Sequence, residues 1–169
     1  MRGMSYDGRA IGNFVLDFCD ARGRGISNLA LQKIVYFCHV WSLIELHKPL
    51  IKHKFEAWEL GPVLPYLYRD FREFDRTPIK GRARGLDPVS GDIRTVGYQF
   101  APETVRFLEI TTDFYSRLRV GDLVELSHVE GGPWHKVWYH RGIVNPGMKI
   151  DDAEIAAFYS KARRPFSVQ

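Results

Sequence analysis

The stretch Leu31 to Leu46, LQKIVYFCHVWSLIEL, decides the fold. Leu31, Ile34, Val35, Cys38 and Trp41 recur at helical intervals, and Tyr36, Phe37, Val40, Leu43, Ile44 and Leu46 fill most of the positions between them. A helix that is apolar nearly all round has to be buried on several sides, so this segment predicts a central helix with the remaining chain packed about it. Ser27 or Asn28 stands where its N-cap belongs, and Pro49 stops it. The apolar run from Ile34 to Leu46 is interrupted by His39, Ser42 and Glu45. It falls short of the roughly 20 residues that span a bilayer, so no transmembrane segment is expected.

Upstream, Asp7 predicts the cap of a first helix over Gly8 to Cys19, with apolar residues at 11, 14, 15 and 18 on one face and ARGRG ending it. Downstream, FEAWEL alternates aromatic and acidic residues and suits a short strand or extended segment. Pro62 is placed as the first residue of a helix reaching about Phe74, where its missing N–H costs nothing. Pro65 lies in the first turn of that helix, and Val63, Leu64, Leu67, Tyr68 and Phe71 form its apolar stripe.

Arg76 to Gly97 reads as a long, mobile loop with a small hairpin around SGDIRTVGYQF. Pro102 opens a helix carrying Val105, Leu108, Phe114 and Leu118. A short helix over Asp122 to Ser127, the turn EGGP, the helical piece WHKVWYH, the loop NPGM and a last helix from Asp151 to about Arg163 follow. The expectation is a mainly α, single compact domain of six or seven helices with a small β-hairpin or extended segment. Residues 1–150 form the helical domain, and residues 151–169 form a C-terminal helix and frayed tail packed on or extending from it.

Composition agrees with one domain: 169 residues, 45% hydrophobic and 14% aromatic, are enough for one core. The N-terminus mixes acids and arginines into its apolar positions and lacks the h-region of a secretory signal, so a cytoplasmic location is expected. Cys19 and Cys38, each beside a phenylalanine in a helical run, read as small core hydrophobes. A net charge of +4 is partly local, because Arg69, Arg72, Arg76, Lys80, Arg82 and Arg84 face only Asp70, Glu73 and Asp75. Such a cluster meets phosphates, meets an acidic partner, or is a solvated face.

Catalytic signatures are absent. No GxGxxG, P-loop, HExxH or nucleophile elbow occurs, and His135 and His140 stand at i, i+5, which misses the i, i+4 spacing that lets two imidazoles share an ion. No metal or cofactor is expected. Glu56 and Glu59 with His128 contain the residue types of an acid–base pair, but that chemistry needs a base within reach of a substrate proton. The basic loop with Tyr66, Tyr68, Phe71 and Phe74 interleaves cations with rings, a pattern that can stack bases, although Leu67 and Phe71 at helical spacing fit a core face better. Three classes therefore stay open on the residues alone: a protein-recognition module, a nucleic-acid binder using loop 76–94, and an acid–base or metal-dependent enzyme.

The motifs themselves carry a resemblance. LQKIVYFCH and FEAWELGPVLPYLY, followed downstream by LSHVEGGPWHKVW, resemble the paired signature blocks of the Panacea-domain proteins, a family that includes SocA-type antitoxins and phage-associated GepA-like proteins. The similarity covers about Gly8 to Tyr139. It implies a mostly helical, non-enzymatic antitoxin that neutralises a cognate protein toxin by direct binding, with SocA-type members serving as adaptors that deliver the toxin to the AAA+ protease ClpXP. The matching positions build a characteristic corner, with Lys33, Gly61, Pro62, Pro65 and Pro133 as scaffold. Glu56, Trp58, Tyr68, Arg69, Arg72, His128 and Trp134 are the candidate partner-binding residues, since Trp, Tyr and Arg are the types most enriched at interface hot spots. Loop 76–94 and the tail after Asp151 match no family pattern, and loops on a fixed scaffold are where partner choice resides.

Overall fold

The computed structural model describes residues 5–140 and 146–166. They form a mainly α domain of seven α-helices and two small antiparallel strand pairs. Helix α1 spans Gly8–Asp20 and α2 spans Asn28–Trp41; strands β1 (Glu56–Trp58) and β2 (Gly61–Val63) precede α3 (Pro65–Asp70). Strands β3 (Arg84–Leu86) and β4 (Ile93–Thr95) precede α4 (Pro102–Ser116), α5 (Val120–Ser127), α6 (Pro133–Trp138) and α7 (Asp152–Tyr159).

All fourteen residues of α2 are buried, as its all-round apolarity requires. The Ser27 hydroxyl caps its start by accepting from the Ala30 N–H. At its far end the helix widens into a π-type turn, Ser42–Leu46, and closes on His47 in the left-handed conformation at φ 55°, two residues ahead of Pro49. Taken together, Asn28–Leu46 is 19 residues long and apolar enough to cross a membrane by length and composition, a longer unit than the interrupted run from Ile34 suggests. Most of it, 78%, is buried inside the fold.

Burial obliges each polar side chain on α2 to find a partner, and those partners tie the chain together. Asn28 donates to the Tyr68 carbonyl and accepts from Gln32, whose own carbonyl oxygen takes the Leu64 N–H. Lys33 Nζ donates to the Pro62 carbonyl at 3.0 Å. His39 Nδ1 accepts from the Ile51 N–H, which leaves Nε2 as the donor to Asp152 at the start of α7, 2.8 Å away. The helix therefore acts as both the hydrophobic core and the polar anchor of four later segments.

Helix α1 starts at Asp7, whose carboxylate accepts from the Arg9 N–H and pairs with the Arg9 guanidinium at 2.9 Å. Ile11, Val15 and Cys19, spaced by four, are fully buried beside α2, and Cys38 is buried as well. Tyr66 closes over the N-terminus of α1, with its hydroxyl accepting from Gly8 N–H at 2.9 Å; a Cβ at Gly8 would lie 2.4 Å from that oxygen.

Four expected boundaries move. Pro62 is not a helix start: it lies in β2, paired with Ala57 across a hairpin whose register also joins Glu56 to Val63 and Trp58 to Gly61. Pro65 takes the first helical position instead, because Leu64 is still extended at ψ 107°. That helix ends at Asp70, and a single 3₁₀ turn over Arg72–Phe74 replaces its expected last turn. The hairpin expected around SGDIRTVGYQF pairs β4 with Arg84–Leu86, upstream of that stretch, and α7 stops at Tyr159 rather than near Arg163.

The segment from Ile79 to Val96 is anchored to α1 and its end. Asn13 donates to the carbonyls of Ala83 and Val96 and accepts from the Ala83 N–H, at 3.0, 2.8 and 2.8 Å. Arg82 bridges Asp17 and Asp20, and the Ile79 N–H reaches the Ile26 carbonyl. Beyond α7, Arg164 pairs with Glu45 at 3.1 Å and Phe166 packs on Trp41, Phe114 and Tyr115.

Candidate partner-recognition corner

The β1–β2 hairpin gathers residues from three distant parts of the chain. Lys33 comes from α2, Glu56 to Tyr68 from the hairpin and α3, His128 from the end of α5, and Trp134 from α6. The Trp134 indole N–H donates to the Trp58 carbonyl at 2.8 Å, so α6 is held against the outer edge of the hairpin. His128 lies flat on Trp134, with ring centres 3.7 Å apart and planes 5° from parallel. Gly61, at φ +116°, lets the hairpin backbone approach α2; a Cβ there would lie 2.5 Å from Lys33 Cε and 2.6 Å from Ser127 Oγ.

The candidate residues divide by exposure. Trp134 is 3% exposed and Lys33, Gly61, Pro62 and Pro133 are buried, so their contacts are internal. Pro65 and His128 are half-buried. Glu56, Trp58 and Tyr68 are also half-buried and form one outward ridge: the Trp58 indole N–H donates to Glu56 at 2.9 Å, and the Trp58 and Tyr68 rings meet edge to face at 5.1 Å. Tyr68 in turn donates its hydroxyl to Asp75. Arg69 and Arg72 are exposed, Arg69 in the last turn of α3 and Arg72 at the start of the 3₁₀ turn that follows it.

Burial controls the titration of the corner. The Lys33 ammonium is desolvated among apolar side chains, and its pKa falls from 10.5 to about 7, with Asp75 opposing the shift only weakly. His128 is lowered too, first by burial and then by the Lys33 charge, against a backbone hydrogen bond to Leu60. Its Nε2 is buried and has no hydrogen-bond partner among the described residues. A neutral imidazole stacked on indole and a largely desolvated amine are structural packing elements here; Glu56 is engaged by Trp58, and no group of three or more His, Cys, Asp or Glu side chains capable of holding a metal occurs among the described residues.

The arginine-rich loop does not form one free basic surface. Arg82 is neutralised by Asp17 and Asp20, Arg94 lies within 3.8 Å of Asp87 and 3.6 Å of Asp92, and Arg84 donates to the Ile93 carbonyl. Arg69, Arg72, Arg76 and Lys80 make no ion pair among the described residues and remain as the exposed cations of that region.

On the other side of His128 the fold opens an apolar cleft of about 760 Å³ between α4, α5, α7 and the segment that follows α7. Sequence reading did not find it. Its lining comes from residues between Phe37 and Pro165, and its apolar helical members, such as Phe37, Phe114 and Phe158, look like ordinary core positions on their own helices. The exposed aliphatics Leu126 and Val129 were the available signal, since they interrupt the polar face of a short helix and the turn after it.

Comparison with known proteins identifies a family. The family described as antitoxin SocA-like, Panacea domain, matches residues 31–135, which run from the first turn of α2 through both strand pairs, α3, α4 and α5 to the first three residues of α6. Antitoxin SocA of Caulobacter vibrioides (strain NA1000 / CB15N) is 38% identical over 152 residues, covering 89% of this chain and 81% of that protein. No solved structure matches the chain. With a domain match over more than half its length and a relative similar across most of both sequences, the chain belongs to the antitoxin SocA-like, Panacea-domain family.

Proposed function

We propose that this chain is a non-catalytic, cytoplasmic antitoxin that neutralises a protein toxin by binding it, and that it can hand the bound toxin to ClpXP for degradation. The observation that carries the reading is similarity to an antitoxin across most of both chains. The geometry supports it. The corner is cross-linked by Lys33–Pro62 and Trp134–Trp58 hydrogen bonds before any partner arrives, so little ordering entropy is lost on association. Its outer ridge offers Trp58 and Tyr68 beside Arg69 and Arg72, a composition suited to protein recognition.

The test is co-expression with the product of the adjacent gene, read by pull-down and by growth in strains with and without the protease. Complex formation with rescue in both strains means neutralisation by occlusion, and rescue that requires the protease means delivery for degradation. Absence of both complex and rescue overturns the antitoxin reading. Steeply salt-dependent binding to duplex DNA would then move attention to Arg69, Arg72, Arg76 and Lys80.

A further inference from the structure

The apolar cleft beside His128 has a floor of rings and walls of aliphatic and aromatic side chains. Trp41 and Tyr115 form the floor, locked by a 2.7 Å hydrogen bond from the Trp41 indole N–H to the Tyr115 hydroxyl. Leu118, Leu126 and Phe158 form the walls. Leu126 is 43% exposed and Val129 38% exposed, so the surface is open to solvent and contiguous with a volume of about 760 Å³. A concave, mainly apolar cleft of this volume with charged side chains at its rim has the form of a binding site.

Two features indicate the chemistry of its occupant. The first is charge at the rim: Glu125 on α5 makes no ion pair among the described residues, and Arg163, across the cleft, makes none either. The second is the chain's own segment after α7. Phe166 sits on Trp41, Phe114 and Tyr115, with ring centres 6.3, 5.2 and 5.8 Å away, while Arg164 two residues before it pairs with Glu45 at 3.1 Å. One end of the same aromatic floor thus already holds a large apolar side chain delivered by a short segment, with an adjacent cation on a neighbouring carboxylate. The open part of the cleft offers the same residue types, with Leu118, Leu126 and Phe158 as an apolar seat and Glu125 as a carboxylate in the lining.

We infer that this cleft is the principal docking groove for the toxin, and that it takes a short toxin segment bearing a large apolar residue flanked by a basic one, the basic residue pairing with Glu125. A small apolar ligand would fill the seat and leave Glu125 without a partner, which is why a segment that also carries a basic residue fits better. The inference rests on the antitoxin reading above and adds where and by what chemistry the toxin is held. His128, which lines the groove and stacks on Trp134, makes the groove continuous with the corner.

The experiment uses the full chain and, as probe, the purified product of the adjacent gene, titrated calorimetrically, with hydrogen exchange of the wild-type complex as a second readout. Leu126→Asp is expected to weaken the complex by about tenfold or more and Glu125→Lys by several-fold. Gln99→Asp, at an exposed residue between β4 and α4 that lies outside the groove, the corner and loop 76–94, is expected to leave it unchanged. Exposed positions change stability little, and matched melting temperatures verify this; if Leu126→Asp melts lower, Leu126→Ala reads the same contact. Protection on binding should appear in α5 and residues 162–166.

Wild-type affinity for both groove variants, or protection confined to β1, β2 and α3, overturns the groove while leaving the antitoxin reading intact. A wild-type chain that does not bind the probe at all overturns both. A chain that self-associates, with Leu126→Asp dissolving the dimer and toxin binding unaffected, assigns the groove to a second copy and overturns the inference.

Discussion

Lys33 occupies the most demanding position in the molecule, a primary amine fully buried on the central helix with the Pro62 carbonyl as its acceptor. In the unfolded chain it titrates near 10.5, and in the fold near 7. Between those values the unfolded chain holds a proton that the folded chain has released, so stability rises with pH, approaching about 1.4 kcal/mol per pH unit. Above about pH 10 the half-buried Tyr66 and the buried Tyr115, whose phenols are raised by desolvation, act in the opposite direction. Denaturant titrations from pH 7 to 10 should show the rise in the wild type and a flatter profile in Lys33→Met; equal slopes would remove Lys33 as its source. At Gly61, alanine would bring a Cβ onto Lys33 and Ser127 at φ +116°. Gly61→Ala is expected to cost about 2–4 kcal/mol and to lower the melting temperature by roughly 5–15 °C.

Elements in this fold are held by side chains reaching across long sequence separations. The segment carrying β3 and β4 has exposed strands, and Asn13 ties it to α1 by three hydrogen bonds beside the Arg82 pairs with Asp17 and Asp20. Removing that side chain leaves the buried Ala83 N–H without its acceptor, at a cost of about 1–3 kcal/mol. Asn13→Ala should therefore accelerate tryptic cleavage at Arg82, Arg84 and Arg94 more than it lowers global stability. Cleavage at the wild-type rate would mean that Arg82 with Asp17 and Asp20, and Ile79 with Ile26, suffice to hold the segment. Helix α3 gives the complementary case, because Pro65 sets its start and its length is only six residues. Tyr68→Ala with Arg69→Ala should weaken the toxin complex by less than Leu126→Asp if the groove is the main contact, and calorimetric titration separates the two.

For the whole molecule, most of the helical architecture was legible before any coordinates. Asp7, Ser27, Pro102 and the all-round apolarity of 31–46 announce local events, since caps, proline and hydrophobic periodicity act within a few residues. Pro62 was misplaced for an equally physical reason: its fixed φ suits a first helical turn and an extended strand alike, and pairing with Ala57 plus the Lys33 bond to its carbonyl selects the strand. The paired signature blocks identified the family and the participants in the corner. They did not reveal that Trp134 faces inward while Trp58 stays half-buried, because a side chain's exposure depends on what a distant helix lays over it. The cleft was invisible altogether. Its walls come from four separate segments, none distinctive alone, and only their packing forms an apolar cleft beside a carboxylate, Glu125, that makes no ion pair among the described residues. The sequence by itself determined the central helix, its caps and the family, through short-range chemistry; the tertiary structure decided which of those apolar and charged groups remain available to a partner.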